Sequence, residues 1–264
     1  MKVFVGTDLE GVAGVVSFEQ QAYATGKYYE AARLLQTAEI NAAIEGMLAA
    51  GAEDVLVADW HGPGAVVFEE LHPAAKLLHG RPVAPRQVRE EVARAYDVCV
   101  MLGQHAMAGV SDGNLNHTQS SRSTDYIKLN GKCIGEIAQF ALYHGALGMP
   151  LIFLTGDEAA CLEVEELIPG IATVAVKKGL SRQSAISLSA QAAREKIRQG
   201  AERAIRAHQE KPIAPLTWPG PYVLERRYFH TDTADGAAGS PGAERVDSQT
   251  VRCRSDNILD VIYR

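Results

Sequence analysis

Apolar runs of strand length recur along this chain, with helical patterns between them. KVFVGT, DVLVAD, DVCVMLGQ and LIFLTGD are near-continuous hydrophobic stretches, as expected of strands buried on both faces of a parallel sheet. A helix is predicted near residues 28–50, where Ile40, Ile44, Met47 and Leu48 recur at helical spacing before Gly51. A second, near 86–96, places Val88, Val92 and Tyr96 on one face. Strands and helices alternate with short connections, which is the rhythm of βαβ units. It breaks in GVSDGNLNHTQSSRSTDYIKLNGKCIGE, where a β-like run from Asp125 to Leu129 and the Asn130-Gly131 pair predict a hairpin in an excursion over the sheet. A helix from about Glu136 to Ala146 follows, closed by Gly148-Met149-Pro150.

The segment SRQSAISLSAQAAREKIRQGAERAIRAH reads as helix, with a cap at Ser181 or Ser189 and with Ile197, Ala201 and Ile205 on its buried side. Beyond the proline-rich connector KPIAPLTWPGP, Tyr222 to His230 and Gln249 to Arg254 read as strands before a short terminal helix. The expected fold class is α/β: a mostly parallel central sheet flanked by helices, with a smaller C-terminal α+β portion. The expected division is residues 1–210 for the catalytic, metal-binding domain and 211–264 for a strand-rich subdomain.

Composition narrows the class. With 47% hydrophobic and 22% charged residues the chain has ordinary globular usage. A net charge of −6 and a pI near 5.8 give no basic footprint, so nucleic acid and anionic membranes are poor partners and a short peptide or small molecule fits better. The first apolar run meets a carboxylate at Asp8, too early for the core of a secretion signal, which predicts a cytoplasmic protein. Cys99, Cys133, Cys161 and Cys253 are scattered with no C-x-x-C pair, so buried free thiols are expected rather than a disulfide framework or a thiolate zinc site.

The strand ends bring in chemistry. Each hydrophobic run stops at polar side chains of ligand type: Asp8 and Glu10, Asp59 and His61, His105, and Asp157. In open α/β sheets the carboxyl ends of neighbouring strands converge on one crevice. Alternation along a strand puts Asp8 and Glu10 on one side, and His61 and His105 add nitrogen donors, a mixture suited to zinc or a similar divalent ion. A further carboxylate would make a two-metal site, and Glu136 is the best candidate. Each residue also has a bland reading taken alone: a turn cap for Asp8 and Glu10, a satisfied histidine for His61 and His105, a favourable charge at a helix start for Glu136. The argument rests on independent strand ends all delivering ligand types.

Other residues leave alternatives open. His117, in LNHTQSS, is a surface histidine unless the excursion folds over the crevice, where it could act as acid, base or oxyanion partner. Asp59 orients His61 or caps a turn, and Asp157 is expected to be a cap. Gly6, Gly11 and Gly14 do not form a dinucleotide fingerprint, and acidic Asp8 and Glu10 would repel a pyrophosphate. No G-x-S-x-G elbow frames Ser120, Ser121 or Ser123, and His72 and His79 are read as structural.

Taken in order and spacing, TDLEG, ADWHG, LGQHAMAG, NHTQSS and GKCIGE resemble the DppA-type D-aminopeptidases, a family of self-compartmentalising zinc peptidases. ELHPAAKLLHG, LTGDEAACLEVEELIPG and TVAVKKGLSRQSAISLS carry the likeness through roughly the first 190 residues, and the last 50 or so match more loosely. The resemblance implies two zinc ions per subunit bridged by Asp8, with Glu10 and His105 completing one site and His61 and Glu136 the other. It also implies His117 as the catalytic histidine and a homodecamer of stacked rings. Trp60 departs from the small polar residue the family often has there, which would narrow the pocket or alter the substrate preferred. The expected activity is hydrolysis of short peptides with an N-terminal D-amino acid, such as D-Ala-D-Ala. The alternatives are another metal-dependent amidase or deacetylase, and a non-catalytic peptide- or metal-binding protein of the same fold.

Overall fold

In the first strand, β1 (Lys2–Thr7), Val3 and Val5 face one way and Phe4 the other, and both directions lead into packed core. The computed structural model describes residues 1–264. A helix α1 (Tyr29–Ala49) leads to β2 (Asp54–Asp59) and β3 (Ala75–Leu78), then α2 (Arg86–Ala93) and β4 (Val98–Gln104). The excursion forms the hairpin β5 (Thr124–Leu129) and β6 (Lys132–Ile134), followed by α3 (Glu136–Ala146), β7 (Leu151–Asp157) and α4 (Glu158–Leu167). Next come β8 (Ala172–Ser181), β9 (Ser184–Ser187) and α5 (Ala190–Glu210). The chain closes with β10 (Tyr222–Tyr228), α6 (Thr231–Ala238), β11 (Ala243–Arg245) and β12 (Thr250–Ser255).

The main sheet has the order β3-β2-β1-β4-β7-β8-β9 and is parallel except for its edge strand β9. Strand order reverses between β1 and β4: β2 and β3 extend to one side of β1, and the chain then crosses to place β4 on the other. Such a switch point opens a crevice at the carboxyl ends of the two strands. One face packs on α1 and α5 through Ile40, Ile44, Met47, Ile197, Ala201 and Ile205. The opposite face packs on α3 and α4 through Ile137, Phe140, Ala141 and Val164. Burial on both faces explains why the parallel strands read as unbroken apolar runs rather than alternating ones.

Several local expectations shift. Val88 is exposed while Val92 and Tyr96 of the same row pack inward with Ala93, because α2 is a peripheral helix that meets the core only toward its C-terminal end. Of the two candidate caps Ser189 is the one used: the helix begins at Ala190, the Ser189 hydroxyl accepts from the Ala192 N–H at 3.3 Å, and residues 184–187 first turn back as β9. Cys99 and Cys161 are buried thiols, whereas Cys133 is exposed and Cys253 half-buried, since both lie in the thinner second sheet. That sheet has the order β11-β12-β10-β5-β6. The strands beyond residue 211 therefore pair with the central excursion, β10 running antiparallel to β5. No helix is long and apolar enough to cross a membrane.

His144, on α3, is wedged between Phe4 and Phe140 with Nδ1 on the Phe140 carbonyl. Burial, assisted by the Arg89 charge, holds its imidazole down at about 4. The unfolded chain protonates first, near the ordinary value of about 6.5, so this group's contribution to stability is complete above that pH and falls as pH drops toward 4. The loss amounts to roughly 3 kcal/mol. From pH 7 to pH 5 the urea midpoint of the wild type should therefore fall relative to that of His144→Gln. Glu39 and Glu163, each pushed up by burial to about 7, contribute in the opposite direction in both proteins and cancel in the comparison.

Candidate metal centre

The ligand-type residues stand one to three positions past the ends of their strands. β1 stops at Thr7, and the turn beyond it, rather than strand alternation, turns Asp8 and Glu10 inward together. Gly103 permits this turn: it sits in the left-handed region at φ +71°, and a Cβ there would collide with the Asp8 carbonyl oxygen. His61 follows β2, His105 follows β4 directly, and Glu136 opens α3. All five side chains meet over the switch point. Asp8 Oδ1 lies 3.2 Å from His61 Nδ1, and Asp8 Oδ2 lies 3.2 Å from His105 Nε2. Glu10 Oε2 is 3.1 Å from His61 Nδ1, and Glu136 Oε1 is 3.5 Å from His105 Nε2.

The excursion does fold over this cluster. His117 is buried, its ring stacks on that of His105 at 3.9 Å between centroids, and its Nε2 is 3.8 Å from Glu136 Oε1. Leu115 and Gln119, two residues to either side, both have positive φ, so the loop is bent into an uncommon conformation on each flank of His117. Gln119 repays the bend by donating its N–H to Glu136 Oε1 at 2.7 Å and its side-chain amide to Gln139 at 3.0 Å. Asp157 anchors the excursion from below. It stands at the N-cap of α4, yet its carboxylate accepts from the Asn114 N–H at 3.0 Å and the Gly179 N–H at 3.1 Å instead of capping the helix. Asp59 does not orient His61: its Oδ2 accepts from the N–H groups of Ala65 and Val66, which closes the turn after β2. Gln36, absent from any motif, donates to the Asp8 carbonyl at 2.9 Å from within α1.

Ring tautomers decide what the cluster can hold. His61 Nε2 lies 2.8 Å from the Ala22 carbonyl, His105 Nδ1 2.9 Å from that of Ala106, and His117 Nδ1 3.0 Å from that of Leu115. A carbonyl only accepts, so each of these nitrogens carries the hydrogen. The other nitrogen of each neutral ring then presents a lone pair to carboxylate oxygens, an arrangement that needs a cation between them or a second ring proton. His105 Nε2 is buried with no hydrogen-bond partner at all. Three carboxylates and two such imidazoles fit divalent cations in number, charge and donor type.

Electrostatics agree. Burial alone would raise the Asp8 carboxyl, but His105 and His61 outweigh it and hold it well below the usual range. Burial would depress His61 and His105, yet the surrounding carboxylates raise both well above the ordinary imidazole value. His117 goes the other way. Burial, then the neighbouring His105, lower it, so it stays neutral at physiological pH.

The cluster opens into a cavity of about 570 Å³ whose walls include Tyr23, Trp60, Arg89, Arg122 and Phe140. Trp60 thus borders the cavity. Apart from Asp8, Glu10 and Glu136 no acidic residue lines it.

A parallel α/β sheet with acidic and imidazole donors gathered at its switch point suits a metal-dependent hydrolase. The chain is a member of the D-aminopeptidase family of M55 peptidases, whose model matches residues 1–264. It is 30% identical over 263 residues to the D-aminopeptidase of Bacillus subtilis (strain 168), covering 98% of this chain and 93% of that one. Its fold superposes with a TM-score of 0.91 on the Zn-dependent D-aminopeptidase DppA from Bacillus subtilis, described as a self-compartmentalizing protease, at 28% identity over 100% of this chain and 94% of that chain.

Proposed function

We propose that the chain hydrolyses short peptides bearing a free N-terminal D-amino acid, D-Ala-D-Ala being the model substrate, at a centre of two zinc ions. The observation that carries the two-ion reading is Asp8, whose two carboxylate oxygens face different histidines. We group Asp8, Glu10 and His105, whose ligand atoms lie within 4.8 Å of one another, around one ion, and Asp8, His61 and Glu136 around the other, the pairing the family resemblance implies.

Ions held there would supply Lewis acidity and a hydroxide near neutral pH. The remaining roles belong to the chain. The three carboxylates offset the charge of the ions, and the carbonyls of Ala22 and Ala106 fix the rings of His61 and His105. His117 is the acid–base group. With Nδ1 committed to Leu115, only Nε2 is free to exchange a proton with substrate, and its lowered affinity lets it take one up during attack and return it to the leaving amine. Trp60 and Phe140 border the space for the side chains of the peptide.

A panel of D-Ala-D-Ala, L-Ala-L-Ala and N-acetylated D-Ala-D-Ala tests this reading. Cleavage confined to the first supports it; equal cleavage of the L-peptide, or release of acetate alone, assigns the centre to a different amidase or deacetylase. We extend the proposal to assembly on the strength of the self-compartmentalizing neighbour. A decamer of stacked rings enclosing the cavities is expected, and a single-chain mass by light scattering would contradict it.

A further inference from the structure

Arg81, Arg89 and Arg122 stand in the wall of the cavity, and none of them pairs with a carboxylate of this chain. Their other commitments differ. Arg81 donates to four carbonyls, from Nε to Gly62 and from Nη1 to Gly80, both at 3.0 Å, and from Nη2 to His61 at 2.9 Å and Asp59 at 3.1 Å. Arg89, on α2, lies beside Trp60 and is tied by Nε to the Ala84 carbonyl at 3.0 Å. Arg122 makes neither a hydrogen bond nor an ion pair through its side chain; its guanidinium rests on the ring of Tyr23, 3.9 Å from the centroid. Stacking of this kind leaves the edge of the guanidinium, where its N–H donors project, open to a planar anion. The platform beneath it is fixed. The Tyr23 hydroxyl shares a hydrogen bond with that of Ser121 at 2.9 Å, and the Tyr23 ring stacks on Phe18 at 5.7 Å. Phe18 in turn meets the His117 ring edge to face at 5.6 Å.

We propose that Arg122 receives the C-terminal carboxylate of the substrate, so that the enzyme favours dipeptides with a free carboxyl end over the same peptides closed as amides. The inference rests on the peptidase reading above, in which His117 returns a proton to the leaving amine. In a dipeptide the leaving nitrogen and the terminal carboxylate share one α-carbon. The group that serves the amine and the group that holds the carboxylate therefore belong to the same patch of wall. His117 and Arg122 meet that condition: both lie on the excursion, in the run HTQSSR, and both lean on the row formed by Phe18 and Tyr23. An arginine fork matches the two oxygens of a carboxylate in a bidentate pair, whereas an amide offers it a single uncharged acceptor.

Hydrolysis of D-Ala-D-Ala and of its C-terminal amide by the zinc-loaded full-length protein tests this. The wild type should favour the free acid by about 10–100-fold in kcat/KM, the range of a charge-assisted hydrogen bond. Arg122→Met should bring that ratio close to one, Arg122→Lys, which keeps the charge but not the fork, should restore part of it, and Arg89→Met should leave it in place. Equal rates for acid and amide in the wild type overturn the proposal. So does a preference that survives Arg122→Met, or one that is lost equally in Arg89→Met. Failure of the peptidase reading is seen separately. If only L-peptides are cleaved, that reading falls and the same ratio is taken from L-Ala-L-Ala and its amide. If neither peptide is cleaved, the ratio is taken from the calorimetric affinities of D-Ala-D-Ala and its amide, where the same outcomes decide and the absence of any preference overturns the proposal.

Discussion

Asp8→Ala is expected to release both zinc ions and to lower kcat/KM by on the order of a thousandfold or more, since Lewis-acid stabilisation is worth several kcal/mol. The size of the effect follows from position. Asp8 is the one side chain that faces both His61 and His105, so its removal unties the two halves at once. It also leaves two lone-pair nitrogens with one carboxylate partner each, Glu10 and Glu136. Metal analysis of the purified variant and steady-state kinetics with and without added zinc check this. Chelation of the wild type should reproduce the loss and zinc should reverse it, whereas no added zinc should rescue the variant. Full activity in metal-free Asp8→Ala protein would end the metal mechanism.

His117→Ala should keep its zinc and still lose turnover by about 10²–10⁴-fold, the usual worth of a positioned acid–base group. The loss should fall on kcat rather than KM, because the ring exchanges a proton during reaction rather than holding the ground state. His117 touches Glu136 only at 3.8 Å, so metal content is the control that separates it from a ligand. Co-loss of zinc would assign it to the coordination sphere instead. A dependence of kcat/KM on a group below the ordinary imidazole value should be present in the wild type and absent in the variant, in keeping with the lowered affinity of the buried ring.

How much of this was legible in the sequence depends on the range of the interaction that creates it. The gathering of Asp8, Glu10, His61 and His105 follows from short segments, since each stands within three residues of a buried strand end and parallel sheets align those ends. Glu136 was readable as a helix start, though not as a neighbour of His105. Asp59 stayed open between orienting His61 and capping a turn because a D-x-H spacing does not reveal which N–H groups a turn will present; Ala65 and Val66 do so. Gln36, Gln119 and Arg81 left no mark, because they act on backbone carbonyls, carboxylates or amides far away in sequence, and any long polar side chain would look the same. β3 and β9 are four-residue edge strands, too short for periodicity to register. The partnership of β10 with β5 is likewise invisible locally, because it joins positions about a hundred residues apart.

Gln139, one turn into α3 and hydrogen-bonded to Gln119, also donates to the carbonyl of Ile262 at 2.6 Å. The helix start that presents Glu136 is thus tied across 123 residues of sequence to the segment past β12. A change in that segment loosens the support of the metal centre, although it lies far from Asp8 in sequence.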